Sequence, residues 1–97
     1  MREYEVIVLI QPQLEEESRN QLIARIADML TFGTEEADKP VIHHWGQRSM
    51  AYTIKKFKEA YYVFYEAKAN PAKINQIERD IEYIEAVIRY LVVRKEN

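Results

Sequence analysis

Apolar and polar residues alternate along parts of this chain and recur with a helical period along others. Residues 1–10 alternate and then become continuously apolar, which predicts a central strand that starts at the surface and ends buried on both faces. Val41–Ile54 and residues 60–69 are rich in β-branched and aromatic residues and predict two long strands. Gly46 predicts a bulge or bend within the first of these. Val87–Arg94 predicts a fourth strand.

Two segments between the strands have helical spacing. The first follows Pro12, begins with three glutamates that suit a helix N-terminus, and carries an apolar stripe of Leu22, Ile23, Ile26, Met29 and Leu30. Gly33 is predicted to be the C′ residue that ends this helix. The second begins with Asn70 as a cap and Pro71 in the first turn, and its stripe is Ile74, Ile77, Ile81 and Ile84.

The predicted element order is therefore βαββαβ, with residues 55–59 as the connection between the two long strands. Right-handed crossovers then place both helices on one face of a four-stranded antiparallel sheet with the strand order 4-1-3-2. This is the α+β ferredoxin-like sandwich, and at 97 residues the chain is predicted to be one domain, 1–97. The fold alone does not identify a function, because many activities share it.

The charge distribution is uneven although the net charge is only −2. Residues 39–58 contain five cations and no acid, whereas residues 15–38 are strongly acidic. Because salt screens interactions beyond about 8–10 Å, a polyanion responds to the local field of the cations more than to the net charge. The chain has no cysteine, which excludes disulfides and thiolate metal sites and fits a reducing cytosolic compartment.

The third strand has aromatic residues on both of its faces. Tyr61 and Tyr65 share one face and are predicted to enter the core, which leaves Tyr62 and Phe64 on the face that the helices do not cover. Exposed rings at such positions can stack on RNA bases. They can equally form cross-strand pairs or contact another protein. The spacing does not decide between these interpretations.

The remaining polar residues give candidates for phosphate contacts but none for catalysis. Lys55, Lys56 and Lys58 form the clearest cationic cluster, and further candidates are Arg2, Arg48, Arg89, Arg94 and Lys95. We expect Arg2 and Arg94 to lie towards different ends of neighbouring strands. His43 and His44 should point to opposite faces of a strand, so they predict no metal site. The loop after the first strand lacks the glycines and arginine of an acylphosphatase phosphate cradle, so we expect neither an enzyme nor a cofactor.

Several segments in the same order resemble the bacterial small-subunit ribosomal protein number six family over essentially the whole chain. They are REYE at residues 2–5, WGQRSMAYTI at 45–54, the loop and strand at 55–65, and AVIRYLVVR at 86–94. The second segment follows the approximate family pattern W-G-x-R-x-L-A-Y-P-I. Thr53 stands where the family usually has proline, which restores a backbone N–H.

This resemblance implies a cytoplasmic, non-enzymatic ribosomal protein, with a plastid ribosome as an open alternative. It implies binding to the central domain of small-subunit ribosomal RNA together with small-subunit ribosomal protein number eighteen. The expected RNA-binding residues are Arg2, Tyr4, Lys55, Lys56, Lys58, Tyr62 and Arg89, and the expected partner-binding residues are Arg48, Met50, Tyr52 and Phe64. The alternative function is a protein-interaction or ligand-regulated module that self-associates through its sheet.

Overall fold

Four strands and two helices alternate in the predicted order in the computed structural model, which describes residues 1–95. The elements are β1 (Arg2–Ile10), α1 (Glu16–Met29), β2 (Val41–Ile54), β3 (Phe57–Ala69), α2 (Pro71–Glu82) and β4 (Val87–Arg94), with a short 3-10 helix at Glu36–Asp38. The sheet is antiparallel in the order β2-β3-β1-β4, which is the predicted order 4-1-3-2. The ferredoxin-like topology is therefore confirmed. The last two residues of the predicted domain, 96 and 97, lie outside the described residues.

The core lies between the helices and one face of the sheet. Alternate residues of the two central strands supply the sheet side, among them Val6, Val8 and Val63, whose side chains are fully buried. The isoleucines of α2 and the apolar stripe of α1 pack against them in one cluster. Because both helices contribute to this single cluster, no helix within residues 1–95 lies over the opposite face of the sheet.

Tyr65 links the sheet to α1 through a buried hydrogen bond. Its hydroxyl donates to the backbone carbonyl of Ile23 over 2.9 Å, and its side chain is fully buried. This burial raises the pKa of Tyr65 above its usual value, because the phenolate form would lose its hydration. Tyr61 points to the same side, as predicted, but is only half-buried, with the Arg19 guanidinium 4.0 Å from its ring centroid.

The helix boundaries agree with the predicted start of α2 but not with the predicted end of α1. Asn70 accepts a hydrogen bond from the backbone N–H of Ala72 over 3.0 Å, so it caps α2 as expected. Helix α1 ends at Met29, and Gly33 is not its C′ residue. The last turn instead closes through the backbone N–H of Leu30, which donates to carbonyls three and four residues earlier.

The connection between β2 and β3 is shorter than predicted. Only Lys55 and Lys56 form the turn, because Ile54 pairs with Phe57 and β3 begins at Phe57. Lys58 and Glu59 therefore belong to β3 rather than to the connection.

Candidate nucleic-acid and protein interface

The face of the sheet opposite the helices, here called the open face, carries apolar and aromatic side chains. Tyr62 lies opposite Leu9, and Phe64 lies opposite Ile7, so these residues share the open face as the alternation predicts. On β4, Leu91 lies opposite Ile7 and is 53% exposed. The open face is thus a mixed surface with apolar residues that are available to a ligand or partner.

Phe64 is the centre of a stacked aromatic row formed by His43, Phe64 and Trp45. The His43 and Trp45 ring centroids lie 5.4 and 5.2 Å from the Phe64 centroid, with interplanar angles of 25° and 28°. The Arg48 guanidinium lies 5.7 Å from the Trp45 ring, and the Arg48 Nε donates to the Trp45 carbonyl over 3.2 Å. The His43 Nε2 and a Glu66 carboxylate oxygen are 2.8 Å apart. The row therefore has a charged group at each end.

A bulge in β2 sets the position of Trp45 in this row. His44 pairs with Val63 and Gly46 pairs with Tyr62, so Trp45 is an extra residue with no direct partner on β3. Gly46 has a φ of +81°, which favours glycine, and the predicted bulge is confirmed. Sequence reasoning did not identify His43 and Trp45 as site residues, although their odd-numbered positions on β2 indicate a shared face.

The end of the β2–β3 hairpin is a strained cationic turn. Lys55 and Lys56 have φ values of 49° and 73°, the positive φ at both central residues that a type I′ turn requires. Asn and Gly are the residues that usually occupy these positions. Both lysines are exposed, and Lys58 follows them on β3. Two cations thus occupy a backbone conformation that disfavours their residue type.

A second irregularity in β2 brings Tyr52 towards β4. Between the pairs Ser49–Glu59 and Ile54–Phe57, β2 advances five residues and β3 advances only two. The additional residues of β2 bend away from the ladder, and the Arg89 Nη1 donates to the Tyr52 hydroxyl over 2.6 Å. The hairpin therefore leans across the open face to the opposite edge strand.

This lean encloses a groove of about 180 Å³ between the hairpin and the sheet. We call it the hairpin groove, and its main lining residues are Leu9, Met50, Tyr52, Ile54, Tyr62 and Arg89. Met50, Phe57 and Tyr62 also pack against a small buried cluster of Leu9, Ala60 and Ile88. The hairpin is thus held to the sheet by apolar contacts as well as by the Arg89–Tyr52 hydrogen bond.

The cations form two separate regions at opposite ends of the sheet. Arg2 and Arg94 lie at the same end, which corrects our expectation, because antiparallel pairing places the start of β1 beside the end of β4. Arg89 lies at the other end, opposite Leu9. Leu9 is seven positions after Arg2 on β1, or about 23 Å away at the usual rise per residue. This exceeds the screening length, so the two regions act as separate fields.

The predicted RNA-binding residues differ in how far they are exposed. Arg2, Lys55, Lys56, Lys58 and Arg89 are exposed, and Tyr62 is half-buried. Tyr4 is only 7% exposed and belongs to the core beneath the helices, because it alternates with Glu3 and Glu5 on β1. Its ring is therefore not presented on the open face, in contrast to the surface position that an RNA contact requires.

The predicted partner-binding residues also divide into two groups. Arg48 and Tyr52 are exposed, whereas Phe64 and Met50 are half-buried in the aromatic row and beside the hairpin groove. Within residues 1–95, no group of three or more His, Cys, Asp or Glu side chains is placed to hold a metal ion. No helix in this part of the chain is long and apolar enough to cross a membrane.

Comparison with known proteins gives one consistent family. A family model described as Ribosomal protein S6 matches residues 3–94. The chain is 40% identical to the small ribosomal subunit protein bS6 of Heliobacterium modesticaldum over 97 residues, covering 100% of this chain and 99% of that protein. It is 35% identical to bS6 of Moorella thermoacetica over 97 residues, covering 100% of this chain and 97% of that protein.

A solved structure gives the same result at the level of the fold. The crystal structure of 30S ribosomal protein S6 from Thermotoga maritima superposes on this chain with a TM-score of 0.85 and 27% sequence identity. The match covers 97% of this chain and 87% of that chain. The similarity thus extends over both helices and all four strands.

Proposed function

Because the chain belongs to the ribosomal protein S6 family, we propose that it binds the central domain of small-subunit ribosomal RNA together with small-subunit ribosomal protein number eighteen during assembly. Membership of the family confirms the resemblance that the sequence motifs indicated. It also confirms that the chain is a structural protein of the small ribosomal subunit and not an enzyme. The RNA region, the partner and the residues that contact each are the proposed parts.

The cationic end of the β2–β3 hairpin is the observation that carries the RNA part of the proposal. Lys55, Lys56 and Lys58 are exposed there, and Arg89 is tied to the same hairpin by its hydrogen bond to Tyr52. Cations of this kind fix the position of a protein on phosphates. The whole chain has a net charge of −2, so the positive charge at this end of the hairpin is a local feature and not part of a generally basic surface.

Arg2 and Tyr4 have different places in this proposal. Arg2 is at the far end of the sheet, so it contacts a separate part of the RNA from the hairpin turn. Tyr4 contributes to the core rather than to the RNA surface, because its side chain is buried. Tyr62 remains available through its half-exposed ring beside the hairpin groove.

The partner part of the proposal is supported by β2. It is an edge strand, and its outer backbone groups can pair with a strand or extended segment of another protein. Trp45 is 39% exposed and stacks on Phe64, and Arg48 lies beside it. Trp and Arg are the residue types that most often dominate binding at protein interfaces. We therefore place protein number eighteen against the aromatic row and Arg48.

The proposed location is the ribosome in the bacterial cytoplasm, since the relatives described above are bacterial proteins. A plastid ribosome is the alternative. Self-association through the sheet is the alternative for the open face, and the exposure of Leu91 and Val93 on β4 favours testing it. Sedimentation of the isolated protein distinguishes a stable dimer from a monomer.

The first experiment is capture of the tagged protein from a bacterial lysate, with sizing of the bound RNA. We expect small-subunit ribosomal RNA and one small basic protein. A stable dimer without RNA would refute the proposal in favour of self-association.

The second experiment tests the residues by RNA-binding titrations at several salt concentrations with the partner present. We expect Lys56→Ala and Arg89→Ala to weaken binding and to reduce the salt slope by about one unit or less for each phosphate that is no longer neutralised. Lys73→Ala is the matched control, because Lys73 is exposed on α2 and is remote from the open face. Unchanged affinity and slope in both hairpin-end variants would refute the site.

A further inference from the structure

The hairpin groove combines an anion-binding pair with an aromatic and apolar wall. We infer that it binds one unpaired nucleotide of RNA, with the base against Tyr62 and the phosphate on the Arg89–Tyr52 pair. This inference rests on the proposed RNA-binding function and adds a specific site to it. It also gives Tyr52 a role in RNA binding instead of the partner contact that the sequence predicted.

The Arg89–Tyr52 pair has free hydrogen-bond donors for a phosphate. A guanidinium has five N–H donors, and the structure gives one contact from Arg89 to the Tyr52 hydroxyl, at 2.6 Å. Because this hydroxyl accepts from Arg89, its own proton is available to a second acceptor. Tyr52 is 62% exposed, so a phosphate oxygen can reach both groups.

Tyr52 also restricts the conformations of Arg89. A free arginine side chain loses up to about 2 kcal/mol of rotamer entropy when it is fixed. The hydrogen bond to Tyr52 fixes it before RNA arrives, and Tyr52 itself is placed by the irregular pairing of β2. Tyr52 is therefore a positioning residue for Arg89 as well as a donor to the phosphate.

The rest of the groove suits a base. Leu9, Met50 and Ile54 are apolar, Tyr62 presents an aromatic ring, and the described lining residues include no carboxylate. A volume of about 180 Å³ suits a single base better than a helical segment, whose diameter is about 10–12 Å with side chains. Lys55 and Lys56 directly follow Ile54 in sequence, so the neighbouring phosphates of the same strand would meet two more cations. Unpaired RNA bases that stack on aromatic side chains are the usual targets of such sites.

Methyl NMR of the full chain tests whether the base occupies the groove. The protein has three methionines, of which only Met50 lines the groove. Titration with a uridylate pentamer should shift the Met50 methyl signal and leave those of Met1 and Met29 unchanged. An abasic pentamer with the same number of phosphates should bind at least about fivefold more weakly. Equal affinity for both pentamers, or an unshifted Met50 signal at saturation, would overturn the inference.

Binding of the same uridylate pentamer to variants tests the Arg89–Tyr52 pair. Tyr52→Phe should bind about 3- to 10-fold more weakly with an unchanged salt slope, because it removes a hydroxyl and no charge. Arg89→Ala should lower both the affinity and the slope, by about 0.7 for one phosphate on a single strand. The double variant should be no more than about twofold weaker than Arg89→Ala, because the two residues act as one unit.

Tyr83→Phe is the control for the loss of a tyrosine hydroxyl, since Tyr83 is 86% exposed at the end of α2. If Arg89→Ala weakens binding and Tyr52→Phe matches the wild type, the pair is refuted while the proposed function stands. If the pentamer results are as expected and no ribosomal RNA is captured from the lysate, the proposed function fails and the groove stands.

Discussion

The turn at Lys55 and Lys56 provides a test that separates stability from RNA binding. Both residues have positive φ, at 49° and 73°. We expect the double substitution Lys55→Asn with Lys56→Gly to stabilise the fold and to weaken RNA binding at the same time. Asn tolerates the left-handed region and Gly has no Cβ to clash there, but neither carries a charge.

The magnitude follows from the backbone. The left-handed conformation costs an ordinary L-residue about 1–2 kcal/mol, and the additional freedom of Gly in the unfolded chain offsets about 0.5–1 kcal/mol of the gain at Lys56. The expected net gain in the free energy of unfolding is about 1 kcal/mol. For a chain of this size this corresponds to a rise in Tm of about 4–8 °C. Removing two protein cations that contact RNA phosphates should reduce the salt slope of RNA binding by about 1.5.

The assay combines thermal unfolding with RNA titration over a range of salt concentrations. The matched control is Lys55→Gln with Lys56→Gln, which removes the same charges and leaves ordinary L-residues at positive φ. The control should lose RNA affinity equally and gain no stability. An unchanged Tm in the Asn–Gly variant would show that the turn is not strained. An unchanged salt slope in both variants would show that these lysines do not contact phosphate.

Three further predictions concern the aromatic row, the buried hydrogen bond and the helix cap. Trp45→Ala should weaken partner binding by about 2 kcal/mol or more, roughly 30-fold by calorimetry, whereas Tyr83→Ala, remote from the row, should not. Tyr65→Phe should lower the free energy of unfolding by about 1 kcal/mol in urea at pH 8. The folded-state pKa of Tyr65 is raised, so the unfolded chain releases this proton more readily than the folded protein does above a pH of about 10. The free energy of unfolding of the wild type should therefore fall by up to about 1.4 kcal/mol per pH unit because of this group. The variant should lack this contribution. Asn70→Ala should lower the free energy of unfolding by about 1 kcal/mol. Asn75→Ala, at an exposed position in the middle of α2, should not lower it in this way.

The fold could be predicted from the sequence because its local patterns agree with one another. The helical stripe of α2 begins after a capping Asn and a Pro, and all of its isoleucines are buried in one cluster. The alternation in β3 placed Tyr65 in the core and Phe64 on the open face. A four-stranded sheet with two helices then has few topologies with right-handed crossovers.

The structure departs from the expectations at three places, each for a different physical reason. Gly33 suits a helix C-terminus, but α1 ends four residues earlier through its own backbone hydrogen bonds. The lysines after Ile54 have poor propensity for a two-residue turn, and the pairing of Ile54 with Phe57 imposes it on them. Tyr4 was expected at the RNA only because of the family resemblance, and its burial under the helices follows from its alternation with Glu3 and Glu5 on β1.

The sequence by itself determined the order of the elements, the face of each residue on the two central strands and the segment that carries the positive charge. Those properties depend on periodicity and on neighbours along the chain. The tertiary structure alone decided that Phe64 stacks between His43 and Trp45 and that Tyr52 reaches Arg89, 37 residues away in sequence. His43 lies directly opposite Phe64, whereas Trp45 and Tyr52 reach their partners through the two irregularities in the pairing of β2. Gly46 indicates the position of the first irregularity, but which side chains meet across it depends on how the hairpin packs against the rest of the sheet.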